Sequence, residues 1–130
     1  MNDLEIRNAI GVRLTSDSMM PKVVAQNKSY MASLPYVSVS FVPTGNIDRT
    51  LAGTVTEFFG FMLASVVSDK DQYELPGLEI AQRIVALFPT AMILSTLSGI
   101  VKINKPCDLL PGYSDGVNWR TPVKVYYHAT

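Results

Sequence analysis

Apolar residues recur every four positions at Ile6, Ile10 and Leu14, the spacing of one buried stripe on a helix. Asn2 or Asp3 caps that helix, Glu5 sits near its positive end and Arg13 near its negative end. Gly11 weakens the interior, and Thr15-Ser16-Asp17-Ser18 ends it. A short strand is expected over 22–26, after Pro21, and 27–35 reads as a loop pinned by Tyr30, Met31 and Leu34. The period then shortens to two: Val37, Val39 and Phe41 alternate with Ser38 and Ser40, which predicts a half-buried strand over 36–42. Pro43-Thr44-Gly45-Asn46 is expected to break it. From 53 to 67 both parities are apolar, with Val55, Phe59, Phe61 and Leu63 on one and Phe58, Met62, Ala64 and Val66 on the other. Such a strand is either central in its sheet or has one face against another subunit.

The second helix has the clearer signal. Pro76 suits its first turn, Ile80, Ile84 and Phe88 lie four apart with Ala81 and Leu87 flanking, and Pro89 stops it. Strands follow at 99–104 and 119–128, where Trp119, Thr121, Val123, Val125 and Tyr127 alternate with Arg120, Lys124, Tyr126 and His128. Between them, 105–118 holds Pro106, Pro111, Gly112 and Gly116 and reads as a long irregular connection. The order predicts one α+β domain over 1–130, with a mixed, mainly antiparallel sheet and helices packed on one face.

Composition narrows the functions. With 48% hydrophobic and 17% charged residues the chain can bury a core, so disorder is excluded as a description of the whole. Eleven basic and eleven acidic residues cancel, which removes any general attraction to nucleic acid or anionic membrane. A mean hydropathy of +0.20 without net charge suggests apolar surface covered by partners. Met1-Asn2-Asp3-Leu4-Glu5 carries early acids where a secretory signal has a basic start, and the apolar stretches are too short or interrupted to span a bilayer. The single Cys107 forms no intramolecular disulfide, and a soluble intracellular protein is expected.

Candidate chemistry is sparse. Gly45, Gly53, Gly60 and Gly77 fall at spacings unrelated to a phosphate cradle. His128 would have to serve as the base of a Ser-His-Asp set, yet no orienting partner is evident, and an ordinary strand residue is the simpler reading. Cys107 beside Asp108 is reactive only if something lowers its pKa. A calcium loop starting at Asp69 would need glycine and glutamate where Glu74 and Ile80 stand. Tyr126-Tyr127-His128 could stack a base or sugar, but aromatic strands usually pack a sheet. No catalytic residue, metal or cofactor is expected.

Several phrases, in order, resemble the tail terminator-like (tail completion) proteins of long-tailed bacteriophages. They are Pro35-Tyr36-Val37-Ser38-Val39, then Glu79-Ile80-Ala81-Gln82-Arg83-Ile84 with Leu87-Phe88-Pro89. Gly99 before a strand, Lys105-Pro106 after it, and Trp119-Arg120-Thr121-Pro122-Val123 complete the set, which spans residues 3–128. The resemblance implies a virion tail protein, assembled in the host cytoplasm, that forms a homo-oligomeric ring, typically a hexamer. That ring sits on the major tail tube protein, stops tube growth and offers a docking surface to the head-tail connector. DNA passes through its lumen unread. Another head-tail joining or minor tail protein is the neighbouring alternative; a small-ligand-binding domain or an enzyme is the alternative from a different class.

A ring subunit needs apolar positions beyond those of its own core. Phe58, Phe59 and Phe61 are candidates, with packing inside a central strand as the competing account. Leu109 and Leu110, between two prolines, and nearby Tyr113 are candidates because loops lie at surfaces. Asp48 and Arg49 could pair between subunits, against a solvated pair that contributes little.

Overall fold

The computed structural model describes residues 3–18, 20–25, 35–48, 56–69, 75–116 and 118–130. In chain order the elements are helix α1 (Asp3–Leu14), strands β1 (Val23–Ala25), β2 (Tyr36–Asp48) and β3 (Thr56–Asp69), and helix α2 (Leu75–Leu87). Strands β4 (Ile93–Ser95), β5 (Ile100–Lys102), β6 (Asp108–Leu109), β7 (Tyr113–Asp115) and β8 (Asn118–Ala129) follow. The sheet runs β1-β2-β3-β8-β5-β4, with β6 and β7 also paired to β8. Only β1 and β2 are parallel among these pairs, so the mixed, mainly antiparallel α+β architecture expected from the sequence is the observed one.

Register explains the core. Val37, Val66 and Thr121 stand side by side across β2, β3 and β8, as do Val39, Ala64 and Val123, and Phe41, Met62 and Val125. These rows share one face of the sheet. Against them pack Ile6, Ile10 and Leu14 from α1 and Ala81, Ile84 and Phe88 from α2, in one buried cluster. The stripes read from the sequence are therefore the buried stripes. Helix α1 ends where its polar run begins: the hydroxyls of Thr15 and Ser16 donate to the carbonyls of Gly11 (3.0 Å) and Arg13 (2.5 Å). Arg13 Nε donates to the Leu87 carbonyl at 2.9 Å, tying the C-terminal ends of the two helices together.

Two expectations need correction. The strand begun at Tyr36 does not stop at Pro43 but runs to Asp48, with a register shift between Pro43 and Gly45. A bulge lets the ladder continue past the proline; among the described residues β1 pairs with 37–39, so β2 borders β3 alone at Pro43 and the missing N–H breaks no second ladder. Residues 105–118 are not wholly irregular: β6 and β7 lie along β8, with Leu109 opposite Val123 and Tyr113 opposite Arg120. Strand β4 had no sequence expectation at all. The loop contacts expected of Tyr30, Met31 and Leu34, and the strand start at 53–55, lie outside the described residues.

Ala91 turns the chain after α2 with a positive φ of 71°, and its N–H donates to the Ile103 carbonyl at 2.8 Å. Gly116, at φ 62°, serves the β7–β8 turn, where the missing Cβ removes the strain.

Candidate contact surface

The face of β3 turned away from the helices carries Phe59, Phe61 and Leu63, all half-buried. Register sets His128, Tyr126 and Lys124 of β8 beside them in that order. The His128 ring stacks on Phe59 at 4.5 Å between centroids with the planes 1° apart, and Tyr126 meets Phe61 edge-on at 5.9 Å. Lys124 Nζ lies 4.8 Å from the Phe61 centroid and Lys105 Nζ 5.1 Å from that of Tyr126. The result is a cross-strand aromatic ladder with ammonium groups over two of its rings.

Polar groups on this face answer one another. Tyr126 donates its hydroxyl to Asp108 Oδ2 at 2.5 Å, and that hydrogen bond holds the phenol pKa above its ordinary value. His128 Nε2 is buried 3.4 Å from Glu57 Oε1, without the alignment of a hydrogen bond. Asp108 stands opposite Lys124 in the β6–β8 register. The Tyr126–Asp108 hydrogen bond thus ties β6 to β8.

The candidate residues divide into groups. Phe59 and Phe61 belong to the ladder, and Tyr113, half exposed, shares the register of Arg120 on the same face. Phe58 has the other parity and packs against the core. Leu109 and Leu110 sit on the helix side, where with Leu78, Pro111, Gly112, Trp119 and Thr121 they line a cleft of about 350 Å³. Asp48 closes β2, paired with Thr56, and Arg49 lies outside the described residues. The sequence reading missed Lys105 and Lys124 as partners of the rings: the β3–β8 register brings Lys124 to Phe61, and the pairing of β5 and β6 with β8 on either side of Lys105 brings it to Tyr126. Of Tyr126-Tyr127-His128, Tyr126 and His128 lie on the ladder face, whereas Tyr127, between them, is buried in the core.

Gly112 lies against the indole of Trp119: a Cβ there would come within 2.5 Å of Nε1, a buried N–H that has no hydrogen-bond partner. Gly112→Ala is therefore expected to lift the β6–β7 segment off β8. Because Trp119 is the one tryptophan of the chain, its fluorescence emission should shift to the red while far-ultraviolet dichroism stays near wild type.

Cys107 is half-buried, and its thiol donates weakly to the Phe88 carbonyl at 3.5 Å. Burial, followed by the charge of Asp108, pushes its pKa from 9.0 up to about 11. The native fold thus keeps the proton more tightly than the unfolded chain, so this group's stabilising contribution is full below pH 9 and is lost as pH rises towards 11. Cys107→Ser should flatten the fall in stability over that interval, measured by denaturant midpoints from pH 8 upward. Alkylation of native protein at pH 7 should be slow.

Known proteins place this geometry. A family model described as phage tail terminator protein matches residues 5–127. One solved chain superposes with a TM-score of 0.81 at 19% identity, over 100% of this chain and 96% of its own. A chain from the virion of a native gene transfer agent particle superposes with a TM-score of 0.69 at 13% identity, over 96% and 93% respectively. At such identities the likeness is one of fold. No curated protein matches.

Proposed function

We propose, from the premise that the chain belongs to the phage tail terminator family and is a structural protein of the phage tail, that its copies close into a ring, six in number, on the head-proximal end of the tail tube. The ring stops tube polymerisation and presents the surface on which the DNA-filled head docks through its connector. DNA passes through the lumen without base recognition. The observation that supports this reading is the second apolar face of β3. Its Met62, Ala64 and Val66 are fully buried under the helices, while Phe59, Phe61 and Leu63 are only half-covered on the other side. A central strand with apolar residues on both faces, the second of them only half-covered over 59–63 although buried at Ser65 and Val67, fits a subunit that meets others.

Subunit contacts are proposed at Phe59, Phe61 and Tyr113, and tube contacts at Leu109 and Leu110. Closed symmetry satisfies every lateral contact, whereas an open arrangement would keep growing. Negative-stain images of the purified protein with and without tail tubes test the reading: rings and tubes with one decorated end are expected. Bare tube ends beside protein that stays as single copies would overturn it.

A further inference from the structure

The sheet ends at β4, which pairs with β5 and has no strand on its other side among the described residues. Alongside it runs a groove of about 670 Å³, with Ala9 and Val12 of α1 on one wall and Leu94 and Leu97 on the other. Leu97 is 101% exposed and Val12 70% exposed, and Leu4, about two turns further back on α1, is exposed as well. Helix α1 thus carries a second apolar line besides the buried stripe of Ile6, Ile10 and Leu14. The turn bearing Leu97 is held in place: Thr96 Oγ1 donates to the Gly99 carbonyl at 2.9 Å, and Ser98 Oγ donates to Glu5 Oε1 at 2.9 Å. Glu5 and Arg13 give the groove a polar border.

We infer that a second copy of this chain covers the α1–β4 groove. The area fits. Leu4, Val12 and Leu97 leave on the order of 400 Å² in water, as much as the largest apolar patch on a typical monomer. A standard interface buries about 800 Å² per partner, of which roughly 60% is apolar, so the patch matches the apolar part of one such interface. An apolar centre inside a polar border is also the layout of such contacts. The groove lies at one end of the sheet, and the inference rests on the ring reading above for the identity of the copy that covers it.

The test uses Val12→Lys and Leu97→Asp, singly and together, in the full chain. Both side chains are exposed, so the monomer should melt within a few degrees of wild type. Sedimentation across a concentration series should show wild type assembling, and the double variant needing at least tenfold more protein for the same assembly. Equal assembly of wild type and double variant would overturn the inference and leave the ring reading standing. So would a double variant that forms rings but lets tubes overgrow, since the groove would then face the tube. A wild type that caps tubes yet never self-associates, free or on the tube, would overturn the copy-to-copy contact and the ring together. Wild-type rings without tube capping would leave this inference standing and remove the terminator reading.

Discussion

Serine at both Leu109 and Leu110 is expected to leave tail tubes uncapped and overlong. The backbone of this segment is held independently of its side chains: β6 pairs with β8, and Leu110 N–H donates to the Pro122 carbonyl at 3.0 Å. The substitution therefore changes what the cleft offers a partner more than where the segment lies. Each leucine that docks contributes on the order of 1.5–3 kcal/mol by burial, and repetition around a ring multiplies the loss when all copies engage together. Leu109 is 39% exposed and Leu110 is half-buried, so the monomer should lose only about 1–2 kcal/mol. Tube lengths measured from images and thermal melts of the purified variant separate the two effects. A folded variant that caps tubes normally would remove these leucines from the docking surface.

Alanine at Gly60 should destabilise the sheet itself. Gly60 is buried between Pro43 of β2 and Tyr127 of β8, and a Cβ there would lie 2.6 Å from the Tyr127 hydroxyl and 2.7 Å from the Val42 carbonyl oxygen. Neither gap admits a carbon without movement. Overpacking of this kind costs about 1–3 kcal/mol, and the upper end is expected because one obstacle is backbone. Tyr127→Phe removes the hydroxyl but leaves the ring carbon Cζ at 2.8 Å, so it relieves only part of the second obstacle, and Gly60→Ala combined with Tyr127→Phe should cost somewhat less than the sum of the two single changes. Denaturant midpoints at constant m-value measure the difference. A Gly60→Ala protein as stable as wild type would show that β2 and β8 yield freely at this point.

Where local pattern and tertiary pairing agree, the fold can be read from residues. Ile80, Ile84 and Phe88, Ile6, Ile10 and Leu14, and the Val37–Val39 alternation all belong to elements whose periodicity survives in the structure. Pro43-Thr44-Gly45 reads as a turn because its local preferences are those of a turn, yet fourteen-residue β3 supplies partners beyond it and a bulge absorbs the mismatch. Strands β4, β6 and β7 have two or three residues each, too short for any period to register. The candidate surface shows the same division. The two apolar parities of β3 announce that both faces are used, but which face the helices cover depends on register, as does the placing of Lys124 and Tyr126 around Phe61. The α1–β4 groove joins residues some eighty positions apart, and nothing local marks Leu97 as exposed.

Strand β8 touches nearly every part of the sheet: β3, β5, β6 and β7 all pair with it, and β3 alone does so over residues 58–69. It is also the last of these strands in chain order. Until it arrives, β3 has one unpaired side, and β6 and β7 lack the strand they pair with. Chains that lack β8 are thus kept from presenting the finished surface, and assembly must wait until β8 has been made. The pairing spans about fifty to seventy residues, so closing it is a slow, non-local step of folding. A nascent chain stalled before residue 118 should expose an open β3 edge to chaperones and to other nascent chains on the same message.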